Sequence, residues 1–194
     1  MKKMNFKEAL ENPKKIIFSL GMKNKLGFLC DEKYLKLMYW ANTGKKLNLE
    51  NPVTFNEKLQ WLKLHNQNPE YSRMVDKYEA KKWIAERIGD EYIIPTLGIW
   101  DTFDEIDFDK LPNQFVLKCN HGCAYNIICY DKEKFDKESS IKLLEKWLKE
   151  DFGAFNIELH YSKIKQHRII CEEFLGENLV DYKFFCFNGE PKFI

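Results

Sequence analysis

Around Tyr92 the periodicity of the chain changes, and that change limits the folds open to it. Before Tyr92, apolar residues recur at helical spacing. In "DEKYLKLMYWAN" Leu35, Met38 and Tyr39 make one stripe, closed by Gly44. "TFNEKLQWLKLHN" opens with the capping-box pair Thr54 and Glu57, and its spacing predicts an inner face of Phe55, Leu59 and Leu62 with Trp61 beside it. "YSRMVDKYEAKKWIAERIGD" predicts one more helix ending at Gly89, with Asp76-Lys77 as a surface charge pair. Beyond Tyr92 the apolar runs are short, β-branched and aromatic. "YIIPTLGIW" reads as an edge or irregular strand, because Pro95 has no N–H to give a ladder. "QFVLKCN" and "YNIICY" read as strands joined by a turn at His121-Gly122. "SSIKLLEKWLKEDF" is an amphipathic helix presenting Ile141, Leu144 and Leu148. "RIICEEFLG" and "DYKFFCFNGEPKFI" are strands, the second with a hairpin signal at Asn188-Gly189. Steady alternation of strand and helix, the mark of a parallel sheet, is missing. The expected class is therefore α+β. A helical region over 1–90 precedes an antiparallel sheet with a packed helix over 91–194, expected to be incomplete where the chain stops after a hairpin turn.

Charge and cysteine content exclude some functions. Among 194 residues, 31 Lys and Arg meet 30 Asp and Glu, a net charge of +1 with no basic block, which argues against nucleic acid as a partner. The lysine-rich start carries the apolar run "IIFSLGM", too short for the roughly 20 residues of a membrane span. It reads as a helix docked on the domain, with an amphipathic helix lying on a membrane as the alternative. No export signal accompanies the six cysteines, so reduced thiols and a cytoplasmic location, with peripheral assembly at the inner membrane face, are expected.

The window "FVLKCNHGCAYNIIC", Phe115 to Cys129, gathers the candidate chemistry. Cys119, His121, Cys123 and Cys129 suit zinc by type, yet alternate strand residues stand about 6.6 Å apart per step, too far for one tetrahedral ion. A Cys–His nucleophile has no orienting partner in the pattern. A phosphate grip uses other atoms: backbone N–H groups of the turn, the close approach Gly122 permits, and the Lys118 charge on the strand leading in. A plain hairpin with an outward lysine satisfies the same residues. Glu172 and Glu173 are either a solvated strand end or the rim of a purine pocket floored by Phe174 and Leu175. Asp107 and Asp109 form a D-x-D triplet of the kind that holds a metal and sugar-nucleotide diphosphate in glycosyltransferases, or else a solvated loop.

Several phrases together, among them "NPVTFNEKLQWLKLHNQNP", "MVDKYEAKKWIAERIGDEYIIPTLGIWDTFDEIDFDKLPNQFVLKCNHG", "IICEEFL" and "DYKFFCFNGEPKFI", resemble the TupA-like branch of the ATP-grasp family, associated with teichuronopeptide and other cell-surface polysaccharide biosynthesis. The resemblance runs from about Asp31 to Ile194. It implies an ATP-dependent ligase that activates a carboxylate as an acyl phosphate for attack by an amine. ATP and magnesium are the implied cofactors, and a polysaccharide precursor or amino acid the implied substrate. Lys118 would contact the phosphates and the turn from His121 through Gly122 to Asn126 would cover them. Glu172, Glu173, Phe174 and Leu175 would line the adenine, Asp181 would lie near the ribose and Lys183 near the phosphates. The family turn is typically His-Gly-Ser-Gly-Gly-Asn, whereas here Cys123, Ala124 and Tyr125 replace Ser and two glycines, so weaker phosphate binding is expected. Magnesium ligands are expected on strands beyond Ile194, which makes a chain inactive by itself part of the expectation. The competing readings are a glycosyltransferase using Asp107 and Asp109, and a non-catalytic nucleotide-binding module.

Overall fold

The computed structural model describes residues 12–23, 25–155 and 157–194. The helical region comprises α1 (Pro13–Met22), α2 (Asp31–Thr43), α3 (Phe55–His65), α4 (Glu70–Val75) and α5 (Lys77–Ile88). Gly44 ends α2 with φ 75°, a conformation open to glycine at little cost. Thr54 and Glu57 make the capping box at α3, each satisfying a backbone N–H of the other's residue. Leu26, Tyr34, Leu35, Leu47 and Ile157 form the buried centre of this half, with Met38, Tyr39 and Leu64 packed against it.

Two helical expectations need correction. The stretch from Glu70 to Ile88 is not one helix. Asp76 takes an extended backbone (φ −70°, ψ 112°), ends α4, and caps α5 by accepting from the N–H groups of Tyr78 at 2.9 Å and Glu79 at 3.2 Å. Nor do Phe55, Leu59 and Leu62 face inward. All three, and Trp61, are exposed, while Leu64 is the α3 side chain that joins the core. The two readings differ by a rotation about the helix axis, which local spacing cannot settle when both faces carry leucines.

The second half is an antiparallel sheet with strand order β1-β4-β2-β3: β1 (Thr96–Trp100), β2 (Phe115–Cys119), β3 (Asn126–Cys129) and β4 (Ile169–Glu173). The fold is α+β, as the change of texture at Tyr92 predicts. β1 is an edge strand with an irregularity between Thr96 and Gly98. Between β3 and β4 lie α6 (Lys137–Leu148) and the short α7 (Leu159–Ser162).

Register divides the sheet into two faces. Phe115 stands opposite Cys129 and Glu173, Leu117 opposite Ile127 and Cys171, and Cys119 opposite Ile169. Alternation puts these residues on one face. There they join Phe103, Phe108, Leu111 and the fully buried Leu144 of α6 in the main core. Val116, Lys118, Asn126, Ile128, Ile170 and Glu172 occupy the other face. α5 reaches that second face through Lys77 and Lys81. Last comes a hairpin of β5 (Phe185–Phe187) and β6 (Glu190–Phe193), turned by Asn188 at φ 50° and Gly189 at φ 81°. It is a sheet of its own, with exposed side chains throughout.

Candidate functional site

The second sheet face collects the charged residues. Glu172 is buried at the end of β4 and is shared by two lysines, Lys118 from β2 and Lys81 from α5, the latter at 2.7 Å. Burial by itself raises the carboxyl pKa, but the hydrogen bonds from Lys118 and Lys81 outweigh it and hold Glu172 below the usual glutamate range. Lys81 also donates to the Ile94 carbonyl at 2.7 Å and to Thr96 Oγ1 at 2.9 Å.

Lys77, one helical turn before Lys81, points the same way. Its ammonium donates to the carbonyls of Cys119, at 3.2 Å, and Gly122, so it reaches into the turn between β2 and β3. Burial lowers its pKa, with the nearby Cys123 and Cys119 thiols opposing. Asp76 and Lys77 are therefore not a surface charge pair. Asp76 is buried and accepts from Asn120 Nδ2 at 2.8 Å. Asn120 in turn donates to the Gln166 carbonyl at 3.0 Å and accepts the Arg168 N–H at 2.8 Å. One buried amide thus ties the start of α5 and the approach to β4 to the turn. Lys77 and Lys81 carry a readable signal, their four-residue spacing, but the break at Asp76 hides what they face.

The turn itself is docked. His121 is buried, its Nε2 2.8 Å from the Trp147 carbonyl, and its ring stacks on His167 at 3.5 Å with the planes 2° apart. Burial brings its pKa down to about 4, against the pull of the Trp147 carbonyl. Tyr125 lies parallel to Trp147 at 5.0 Å, edge-on to Phe152, and donates its hydroxyl to Glu150. Its ring belongs to the main core and does not project over the charged face. A Cβ on Gly122 would run into that ring, which is the local reason for glycine there. Ala124 sits at φ 59°, in the left-handed region that favours glycine.

Of the residues the resemblance implies, Lys118 and Glu172 meet directly, and His121, Gly122 and Asn126 frame the adjoining turn. Glu173 turns to the opposite side. With Phe174, Leu97, Leu111 and Gln114 it lines an open cleft of about 700 Å³ at the end of β4. Leu175 is exposed, and Asp181 and Lys183 lie on the exposed segment before β5. Asp107 caps a single 3₁₀ turn, accepting the Asp109 N–H at 3.2 Å and pairing with Lys110 at 2.9 Å, so the D-x-D triplet has a local structural use. All six cysteines are free. Cys119, Cys129 and Cys171 are buried, and burial raises Cys119 and Cys171 to about 12. Among the described residues no group of three or more His, Cys, Asp or Glu side chains is arranged to hold a metal ion. None of the described helices is long and apolar enough to cross a membrane.

The arrangement is that of an α+β protein with a sheet face on which three lysines, from α5 and β2, converge beside a tight turn and could meet an anionic ligand. Residues 57–194 match the family model described as TupA-like ATPgrasp, and the chain belongs to that family. No curated protein and no solved structure gives a significant match.

Proposed function

We propose that this ATP-grasp protein binds the phosphates of ATP on the second sheet face, at Lys118, Lys81 and Lys77 beside the turn. The observation that carries the reading is the charge balance there: two ammonium groups share the Glu172 carboxylate, and a third is held by neutral carbonyls. The cluster has more positive charge than local anions to meet it, which suits a polyphosphate. Lys118 is the least enclosed of the pair on Glu172 and is the one placed to swing toward a phosphate oxygen. On this reading the base would lie around the end of β4, where Glu173 and Phe174 line the cleft on the opposite side of the sheet. Asp181 and Lys183 would reach the nucleotide only if their segment folds over the sheet.

The reaction we infer is ligation in cell-surface polysaccharide synthesis, with a sugar-acid precursor or an amino acid as substrate. A carboxylate oxygen attacks the terminal phosphorus while the bond to ADP breaks. An amine then adds to the acyl carbon, phosphate leaves with the C–O electron pair, and the amine proton passes to solvent or base. The lysines serve this chemistry by neutralising charge that builds on the phosphate oxygens. Magnesium supplies the same kind of neutralisation when bound. The described residues provide no cluster to assign to it.

Calorimetric titration with ATP tests the binding step. Binding that weakens at least tenfold in Lys118→Ala supports the reading. An unaltered affinity in that variant, or no heat with the native chain, overturns it. ADP release that requires both a carboxylate and an amine tests the ligase step separately.

A further inference from the structure

The near-zero net charge conceals an uneven distribution. Residues 12–49 hold eight lysines against Asp31 and Glu32, a net +6 on a chain whose total is +1. Residues 1–11 contribute +1, so residues 50–194 carry −6. Of the eight lysines, only Lys36 has an acidic partner on its own helix, Glu32 at 2.5 Å, while Lys14 lies over the Trp40 ring at 5.4 Å. Lys15, Lys23, Lys25, Lys33, Lys45 and Lys46 are exposed.

Apolar side chains accompany this charge on the outside. α1 buries Gly21 against Met38 and Tyr34 and turns Lys15, Phe18 and Met22 outward, three residues at helical spacing on one face. The loop from α1 to α2 ends its exposed tip in Phe28, which is 80 % solvent-accessible although Leu26 and Leu29 on either side are packed inward. Phe18 and Met22 also form one wall of a cavity of about 280 Å³ between α1, α2 and α3, so the apolar face continues inward between the helices. A protruding phenylalanine and a short apolar strip flanked by lysines form a surface of the kind that lies in a membrane interface.

We propose that the helical region docks on an anionic lipid surface, with Phe28, Phe18 and Met22 entering the headgroup boundary and Lys15, Lys23 and Lys25 meeting lipid phosphates. Charge complementarity selects the occupant. A neutral apolar partner leaves the +6 unmatched, whereas an anionic bilayer meets the charge and the aromatic tip together. This docking is independent of nucleotide binding, and its test does not use ATP.

Vesicle flotation of the full chain provides that test, comparing phosphatidylglycerol-rich with phosphatidylcholine-only vesicles. The native chain should float with the first and not the second. It should be released as salt rises from about 0.1 M to about 1 M, where the screening length falls from about 10 Å to about 3 Å. Lys15→Gln, Lys23→Gln and Lys25→Gln together should weaken binding about a hundredfold, since each lysine near such a surface is worth about fivefold. Phe28→Ser should weaken it about tenfold or more. Both variants alter exposed positions and should melt like the native chain, which separates lost docking from lost fold. Equal flotation with both vesicle types, or no flotation with either, overturns the proposal. So does retention on a soluble polyanion such as heparin, equal to that on vesicles and insensitive to Phe28→Ser, which would reassign the patch to a nucleic acid or similar polymer.

Discussion

Replacing Glu172 by Gln removes the one carboxylate that Lys81 and Lys118 share, while keeping the side chain's size. Breaking a buried ion pair by neutralising one partner typically costs about 3–5 kcal/mol, because the remaining charge is left uncompensated. Here the cost should be smaller. Lys81 keeps its bonds to the Ile94 carbonyl and Thr96 Oγ1, and Lys118 retains some contact with water. About 2 kcal/mol is the expected loss, or about 4–8 °C in melting temperature for a chain this size. The pH dependence gives a second reading. Glu172 has its folded pKa depressed, since the two lysines outweigh its burial. The folded chain therefore binds fewer protons at this group than the unfolded chain does. Its stabilisation is complete above the unfolded carboxyl pKa of about 4.3 and is lost as pH falls through the lower folded value. Urea unfolding at neutral pH and again below about pH 4 checks both points. The gap between native and Glu172→Gln should be wide at neutral pH and close in acid. A gap under about 0.5 kcal/mol at neutral pH, or one that does not narrow in acid, would refute the assignment of Glu172 as the ionised centre of the cluster.

Two further outcomes follow from burial. His121, held down to about 4 by burial, is neutral in the fold and gains a proton on unfolding. Stability should fall by up to about 3 kcal/mol as pH drops from about 6.5 to about 4, and His121→Gln should flatten that slope in the same urea series. Cys30, Cys123 and Cys186 are exposed, whereas Cys119, Cys129 and Cys171 are buried with their pKa values raised. A chromogenic disulfide reagent at neutral pH should label the first set at once and the second only after unfolding, and rapid labelling of Cys119 would show that β2 is not packed as described.

Some of this architecture is legible before any coordinates, and the reason differs from one element to the next. α2, α6 and β2 follow from local pattern, because each buries one face at the element's own period, and β4 follows from its short run of apolar residues, which is buried on both faces. α3 does not, since Leu62 and Leu64 lie close together in the sequence and only the position of α2 and Ile157 decides which of them turns inward. The break at Asp76 is also hidden. Asp in a run of good helix formers is a weak stop, and here the partner that makes it decisive, Asn120, lies 44 residues away. The lysine cluster shows only in part: Lys118 and Glu172 are expected at one site and do meet, whereas Lys77 and Lys81 come from a helix whose approach to the sheet local pattern does not reveal.

The turn between β2 and β3 shows how a departure from a glycine-rich pattern can be accommodated. Ala124 in the left-handed region costs about 1–2 kcal/mol relative to an ordinary conformation. Burying the Tyr125 ring against Trp147, Phe152 and His121 returns about 2–3 kcal/mol. The two substitutions therefore offset one another, and the strained alanine is kept in place by the tyrosine that follows it. The side effect is on motion. A glycine-rich turn closes over a ligand by moving, whereas this one is fastened to the end of α6 and the residues just after it by a stacked ring, the Tyr125 hydroxyl on Glu150 and the His121 contact with the Trp147 carbonyl. Lys77 fastens it again from the other side through the Gly122 carbonyl. An anion arriving at this face meets a turn already fastened in place, so binding there would draw on the lysines as they stand and not on a closing loop.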